Sequence, residues 1–417
     1  MRKFSRYIAT LSLLSAALVG LVAQAASAAP RQLVVVVAEG LSPQVIDMGS
    51  SYVKTVAQSV TGDEEAVAFS EFRAQAKTQT GIADSGTAAI ESLRGLLKTA
   101  SANGYRTGLV TTDDVTKVAG LFYDIPGDAS SVASTLINTT RVDFLAGGGR
   151  SYFVSNKVPG SRRTDDFDAS AVLRQAGGTA FLNAEAIENT DVEVKGKTIV
   201  LQADDTLSYS IDQNPEREAG FSEMAGLAAQ TLAGENNAPF VLVIHNNALS
   251  RAIAAKDTPA VLEEFRTLDG IVSDVVGMRN EQATADNFGV VVLAAGGGSM
   301  PKFTSDVATD RSNAVFVVSQ LPLSFRGAGA ALTGANEERL TQFATEEYKG
   351  WKLSNEMRAA ILAGSMTPEA AIRAAYEPVI AIGYENMDVK PTVYTLGVDA
   401  SAGLANALTQ IVSTPAK

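Results

Sequence analysis

The amino-acid sequence predicts an α/β protein in which a mainly parallel, doubly wound sheet lies between two layers of helices. Short apolar, β-branched segments alternate along the chain with segments whose apolar residues recur every three or four positions. Several short segments are apolar on both faces, which is typical of parallel strands covered by helices on each side. The chain has 417 residues, 46% of them hydrophobic, and is therefore long enough to bury a large core.

The predicted strands begin with Leu33–Ala38, which contains four consecutive valines. The other segments of the same character are Thr107–Thr111, Val142–Ala146, Thr198–Leu201, Phe240–Ile244, Phe288–Ala294, Ala314–Ser319 and Thr392–Leu396. Helical patterns separate most of them, and this alternation predicts a three-layer α/β/α sandwich.

The clearest predicted helix covers residues 258–278, because Thr258 and Pro259 suit a first turn and apolar residues follow at helical spacing. Shorter helices are predicted at residues 85–99, 221–233 and 401–412.

Residues 335–376 contain three helical patterns in succession with no strand between them, which predicts a helical insertion or cap. The predicted organisation is a signal peptide at 1–28, an α/β domain at 29–334, the helical cap at 335–376, and a return to the α/β domain at 377–417.

The first 28 residues have the features of a Sec-type signal peptide. Three basic residues precede an apolar segment at 8–23, and Ala26-Ser27-Ala28 fits a cleavage site. A membrane anchor is the alternative, but the apolar segment is short for one and small residues follow it. We therefore expect an exported protein of the periplasm, cell envelope or extracellular medium, with no transmembrane segment in the mature chain.

The composition of the chain disfavours nucleic-acid binding and a conventional zinc site. The formal net charge of −12 disfavours nucleic acid as a partner. The chain has no cysteine and one histidine, His245, so a zinc site with the usual imidazole and thiolate ligands is hard to assemble. A carboxylate site for magnesium or calcium remains open.

Candidate binding residues follow the predicted strands, where sheets of this type bind ligands. They are Glu39, Thr112, His245, Asn246 and Asn247. A carboxylate directly after a buried strand, such as that of Glu39, needs a partner to offset its lost hydration. The alternative for His245 is a hydrogen-bonded residue at the edge of the sheet without a ligand.

Asp84 and Ser85 are expected to begin a helix at the same edge. Ser85 is the candidate nucleophile there, because free N–H groups at a helix start stabilise a developing negative charge. The alternative is that Asp84-Ser85 only caps the helix.

The order of these segments resembles the alkaline phosphatases, which are zinc- and magnesium-dependent phosphomonoesterases. VVVVAEGLS resembles their first strand and turn, and IADSGTAAI is similar to their nucleophile turn. Further similar segments are GYRTGLVTTDDVTKVAGLFYDIP, VDFLAGGGRSYF, FVLVIHNNALSRAIAA and GVVVLAAGGGS. The resemblance implies the same fold, and a homodimer, since alkaline phosphatases are commonly dimers.

The resemblance places the family's nucleophile on Ser85, its supporting aspartate on Asp84, and a first-strand metal ligand on Glu39. Most other positions that hold metal or phosphate in the family carry residues of different chemistry. These are Lys117-Val118-Ala119, His245, Ser250, Ala254, Gly296, Gly297, a position near Asp128 for the phosphate-binding arginine, and Asn386-Met387-Asp388.

The leading hypothesis is a non-catalytic, alkaline-phosphatase-like protein that binds an envelope or surface protein, or a small anionic ligand, without a cofactor. One alternative is a divergent phosphomonoester hydrolase that uses Ser85 with a divalent metal (Mg, Ca or Zn) held by Glu39 and Asp84. Another is an envelope component whose helical cap contacts partners through Tyr348 and Trp351.

Overall fold

The computed structural model describes residues 30–62, 67–138, 141–182, 196–216, 218–234, 236–281, 287–347 and 353–416. The predicted signal peptide, Tyr348 and Trp351 lie outside these residues.

The strands are named in chain order. They are β1 (Gln32–Glu39), β2 (Lys77–Thr80), β3 (Arg106–Asp114), β4 (Phe144–Gly148), β5 (Thr179–Phe181), β6 (Thr198–Leu201), β7 (Phe240–Asn246), β8 (Phe288–Ala295), β9 (Gly298–Phe303), β10 (Ile382–Met387) and β11 (Thr392–Leu396).

The central sheet has nine strands among the described residues, in the order β2-β11-β8-β1-β7-β3-β4-β6-β5. Neighbouring strands are parallel, except that β11 is antiparallel to both β8 and β2. Strands β9 and β10 form a separate antiparallel pair. The carboxyl ends of the parallel strands therefore meet at one edge of the sheet, here called the carboxyl edge.

The helices are also named in chain order. They are α1 (Pro43–Thr61), α2 (Ala68–Gln75), α3 (Gly86–Glu91), α4 (Leu96–Ala102), α5 (Val115–Phe122), α6 (Ala129–Asn138), α7 (Ala169–Gln175), α8 (Phe221–Ala233), α9 (Ala248–Ala254), α10 (Thr258–Glu281), α11 (Ala308–Ser319), α12 (Phe325–Ala331), α13 (Glu337–Gln342), α14 (Asn355–Leu362), α15 (Pro368–Ile380) and α16 (Leu404–Ser413).

Side chains of β1 alternate between two cores. Val34 and Val36 pack with α1, α2, α8, α9 and α10 on one face, which we call the first face. Val35 and Val37 pack with α3 to α7 and α16 on the second face. A third apolar cluster joins helices α11 to α15 to the outer side of α1. The three-layer sandwich predicted from the sequence is thus confirmed.

Most of the predicted elements are confirmed, but the strand predicted at Ala314–Ser319 is wrong. These residues lie in α11, where Ala314, Val315 and Val318 are buried and Phe316 is 53% exposed. Burial therefore follows helical spacing, which a short β-branched segment does not reveal in the sequence. The predicted helix at 85–99 is divided into α3 and α4, because Gly95 adopts a left-handed conformation between them.

Other strands were not predicted, and they are short or polar. The sequence of β2 is KTQT, which has no apolar alternation. The helical patterns of residues 335–376 do form helices α13 to α15 where the chain is described. The division into an α/β domain and a helical cap stays a prediction.

Two helical glycines provide a test of the packing between α1 and α10. A Cβ at Gly49 would come within 2.3 Å of the Phe265 ring, whereas a Cβ at Gly270 would meet no atom within 4 Å. We expect Gly49→Ala to lower the free energy of unfolding by about 1–3 kcal/mol through overpacking. Gly270→Ala should raise it by up to about 1 kcal/mol, because alanine is the better helix former. Urea denaturation measures both, and a Gly49→Ala variant as stable as the parent would contradict this packing.

Candidate functional site

The registers of the central strands bring three polar side chains together at the carboxyl edge. His245 pairs with Thr111 of β3 and with Val37 of β1, so all three project from the same face of the sheet. Glu39 lies two residues beyond Val37 and therefore projects from that face as well. The side chain of Glu39 thus becomes the diagonal neighbour of His245 across the β1–β7 pair.

Both ring nitrogens of His245 form hydrogen bonds. Nε2 lies 2.7 Å from Glu39 Oε1, and Nδ1 lies 2.9 Å from Thr111 Oγ1. His245 is 4% exposed, and the Phe122 ring packs against it in a T-shaped contact. This pair, here called the Glu39–His245 pair, joins the carboxyl ends of β1 and β7.

The hydrogen bonds of the Glu39–His245 pair occupy both ring nitrogens of the imidazole. An ionised carboxylate only accepts hydrogen bonds, so His245 Nε2 donates to Glu39. The hydroxyl of Thr111 accepts from the Asp113 N–H at 3.0 Å and can donate its own hydrogen to Nδ1. Both ring nitrogens of His245 are thus engaged within the protein, and binding a metal ion would break one of these hydrogen bonds.

Thr112 and Asn246 are buried, and their side chains hold the start of α9. Thr112 Oγ1 accepts from the N–H groups of Asn247 and Ala248, each at 2.9 Å. Asn246 Oδ1 accepts from the Leu249 N–H at 3.0 Å. Thr112 is 2% exposed and Asn246 is fully buried, so both side chains lie inside the protein and not on its surface.

Asn247 and Glu264 complete this network on either side. Asn247 Nδ2 donates to Asp113 Oδ2 at 2.9 Å. On the first face, Glu264 accepts from Asn246 Nδ2 at 3.3 Å and from the Ser210 N–H at 2.7 Å. Burial raises the pKa of the Glu264 carboxyl to about 7, and these hydrogen bonds oppose the shift.

Ser85 is the N-cap of α3. Its Oγ accepts from the Ala88 N–H at 3.2 Å, which agrees with the capping alternative. Ser85 and Asp84 are exposed, and within the described part of the chain Ser85 has no hydrogen bond to a histidine or a carboxylate. A general base that would activate the hydroxyl is therefore missing from its hydrogen-bond partners.

The start of α3 nevertheless lies at the same edge as Glu39. Ala295 pairs with Glu39 in the sheet, and a Cβ at Gly86 would lie 3.1 Å from the Ala295 side chain. Ala295 also accepts a hydrogen bond from the Gly40 N–H at 3.0 Å. The structure thus brings both Glu39 and the residue that follows Ser85 close to Ala295.

Comparisons with known proteins agree with this architecture. The structure of Thermus thermophilus alkaline phosphatase superposes with a TM-score of 0.71, at 16% identity, covering 93% of this chain and 91% of that one. The chain has the alkaline phosphatase fold. The alkaline phosphatases of a psychrophilic Shewanella sp. and of the Antarctic bacterium TAB5 give TM-scores of 0.65 and 0.56, at 15% and 13% identity. They cover 92% and 94% of this chain, which in turn covers 98% and 100% of theirs.

The sequence comparisons are weaker than the structural ones. An alkaline phosphatase of Schizosaccharomyces pombe is 25% identical over 272 residues, which cover 56% of this chain and 50% of that protein. The chain thus spans about half the length of this relative. No protein-family model matches the chain.

The positions that the resemblance assigns to metal ligands do not fit metal ions on this alkaline phosphatase fold. Glu39 and His245 bind each other, and Ser250, Gly296 and Ala254 carry no charged donor. The turns also pack backbone against backbone, since a Cβ at Gly296 would lie 2.6 Å from the Leu41 carbonyl oxygen. Among the described residues, no group of three or more His, Cys, Asp or Glu side chains could hold a metal ion.

The remaining family positions have structural partners. Asp128 accepts from the Ser131 N–H at 2.8 Å, and that hydrogen bond lowers the pKa of its carboxyl. Lys117 lies 3.8 Å from Asp113, and Asp388 lies 3.3 Å from Lys390.

Sequence reasoning located Thr111 at the carboxyl end of a strand but not its contact with His245, and it missed Asp113 and Glu264. Glu264 alone gave a signal, as a charged residue on the apolar side of the predicted helix at 258–278. The pairing of Thr111 with His245 depends on strand register, which the sequence does not show.

Removing the Glu39 carboxylate tests the Glu39–His245 pair. In Glu39→Ala the buried His245 N–H loses its acceptor, so we expect the free energy of unfolding to fall by about 1–3 kcal/mol. Asp84→Ala is the matched control, because Asp84 is exposed and its loss should change stability by less than about 0.5 kcal/mol. Urea denaturation of the two variants should separate them, and equal stabilities would contradict the pairing.

Burial of Glu264 predicts a pH dependence of stability. Because its pKa is higher in the folded protein, its contribution is fully present below the unfolded value of 4.5. This contribution to the free energy of unfolding is about 3 kcal/mol, and it is lost as the pH rises through about 7. Glu264→Gln cannot ionise, so stability should fall less between pH 4.5 and 7.5 than in the parent.

Two comparisons separate the effect of Glu264 from that of other carboxyl groups. Glu281→Gln, at the exposed end of the same helix, should keep the parent's pH dependence. Desolvation also raises the pKa values of the buried Asp257 and the half-buried Asp212, which add a slope of the same sign, so the informative quantity is the difference in slope between variant and parent. Identical slopes for Glu264→Gln and the parent would show that Glu264 does not titrate in this range.

Proposed function

We propose that this chain is an exported protein with the alkaline phosphatase fold that does not hydrolyse phosphate esters and acts as a binding or structural component of the cell envelope. The observation that carries the proposal is the hydrogen bond of 2.7 Å between Glu39 and His245. It links two positions that resemble metal-ligand positions in the family. Each side chain therefore has a hydrogen-bond partner within the protein, and this partner offsets its lost hydration without a cation.

The chemistry at Ser85 supports the same proposal. In the family, one zinc ion activates the serine and another stabilises the leaving group. Without these charges Ser85 is an ordinary alcohol used as a helix cap. Electrostatic stabilisation of a transferring phosphoryl group contributes several kcal/mol per interaction, so the combined loss corresponds to about 10⁵-fold or more in rate.

Export is proposed from the sequence alone, because residues 1–28 resemble a Sec-type signal peptide. In the described residues, no helix combines the length and the apolar character that crossing a bilayer requires. The acidic charge of −12 favours a protein or small-molecule partner over nucleic acid. A homodimer is proposed from the resemblance and is testable by light scattering.

A divergent hydrolase is the second candidate function. It is favoured by the exposure of Asp84 and Ser85 at the same edge of the sheet as Glu39. In that case a divalent ion would be held by carboxylates, and Ser85 would be the nucleophile.

Metal content and turnover distinguish the two functions. We expect the purified protein to contain far less than one equivalent of zinc, magnesium or calcium by elemental mass spectrometry. With zinc and magnesium added, p-nitrophenyl phosphate turnover should equal that of Ser85→Ala, because no charge activates the hydroxyl.

The control for this experiment is the stability of Ser85→Ala. This variant loses only the N-cap of α3, so its free energy of unfolding should be about 1 kcal/mol lower than that of the parent. Stoichiometric metal together with turnover that disappears in Ser85→Ala would overturn the proposal and establish the hydrolase.

A further inference from the structure

A groove of about 770 Å³ lies on the first face of the sheet, beside edge strand β2. Its floor is formed by side chains of β2 and β11, one wall by α2, and the other by the start of α1 and residues 387–390. Neither Glu39, Ser85 nor His245 lines the groove, so it is separate from the candidate site described above.

Several polar groups in this groove have no partner in the protein. Arg73 lies over the Tyr394 ring, 5.6 Å from its centre, and forms no ion pair or hydrogen bond with another described residue. The hydroxyl of Tyr394 is accessible from the groove and has no hydrogen-bond partner in the described part of the chain. Gln44 Oε1 is buried and likewise unpartnered. Because buried polar groups in folded proteins are nearly always hydrogen-bonded, the Gln44 oxygen points to a ligand, and the exposed Arg73 is an unpaired cation in the same groove.

The chemistry of the lining indicates the class of ligand. Arg73 is the lining cation without an acidic partner, since Lys390 already lies 3.3 Å from Asp388. A guanidinium binds carboxylates and phosphates with paired hydrogen bonds. Gln44 Oε1 is an acceptor and needs a donor from the ligand, such as a hydroxyl group.

The floor supplies further hydroxyl groups. Thr78 pairs with Tyr394 across the β2–β11 ladder, and Thr80 pairs with Thr392, so these four side chains face the groove together. Thr392 donates to Thr80 at 3.1 Å, which leaves the hydroxyls of Thr78 and Tyr394 for a ligand. A hydroxyl both donates and accepts, which suits the hydroxyl groups of a sugar.

We infer that this groove binds a small hydroxylated organic anion, a sugar acid or a sugar phosphate, with the anionic group at Arg73 and a hydroxyl group donating to Gln44. This site does not depend on Ser85 and is independent of whether the chain hydrolyses phosphate esters. The chain as a whole has a net charge of −12. The unpaired Arg73 nevertheless attracts an anion at short range, where screening by salt is weak.

Isothermal titration calorimetry of the full-length protein at low salt tests the inference. The probes are glucuronate, glucose 6-phosphate, neutral glucose and inorganic phosphate. We expect saturable binding of glucuronate or glucose 6-phosphate, and at least tenfold weaker binding of glucose and of inorganic phosphate. Which of the two sugars binds identifies the anionic group as carboxylate or phosphate.

Variants locate the bound sugar. Arg73→Gln should weaken binding at least tenfold, whereas Arg174→Gln, the same change on the exposed face of α7, should leave it unchanged. Tyr394→Phe keeps the ring but removes the hydroxyl, and should weaken binding several-fold. Ser85→Ala should bind as the parent does.

Three results would overturn the inference. They are the absence of saturable binding for both anionic sugars, an affinity that Arg73→Gln leaves unchanged, and a loss of binding in Ser85→Ala. The last result would place the ligand at the carboxyl edge near Ser85. Arg73 is exposed, so Arg73→Gln should keep the parent's unfolding curve, and this is checked in urea before titration.

Discussion

The Glu39–His245 pair is the contact on which the polar end of this sheet depends. β1 lies in the middle of the sheet between β8 and β7, and its residues before Glu39 are completely buried. A carboxylate at the end of such a strand loses much of its hydration, and His245 offsets that loss with a charge-assisted hydrogen bond. Thr111 fixes the other side of the imidazole ring, so three adjacent strands, β1, β7 and β3, end in one connected network.

This network also stabilises the carboxyl edge of the sheet through contacts within the protein. In an enzyme that binds metals, like charges at the ends of neighbouring strands require cations to hold them together. Here the imidazole of His245 lies beside Glu39, and small residues such as Gly296 let the turns pack closely against one another. The carboxyl edge is thus stabilised by hydrogen bonds and backbone packing, neither of which requires an ion.

The sequence was sufficient for the parts of the fold that follow from apolar patterning. β1, β7 and β8 are apolar on both faces, so their position at the centre of a parallel sheet could be predicted. β2 could not, because its polar sequence forms a strand only through its pairing with β11. The strand predicted at Ala314–Ser319 was wrong for the opposite reason. A short apolar segment is compatible with either element, and here it forms a helix that packs against α1 and α15.

For the candidate site, the sequence could predict which residues lie at the carboxyl edge but not what they do there. Glu39 and His245 were both identified from their positions after strands, yet their contact follows from a register in which Val37 faces His245. Thr112 and Asn246 were expected to face a ligand. A residue that ends a strand has two faces available, and both of these side chains turn inward to hold the first turn of α9. A polar residue at the end of a strand can therefore either contact a ligand or cap a neighbouring helix, and for Thr112 and Asn246 the position of α9 determines that they cap the helix.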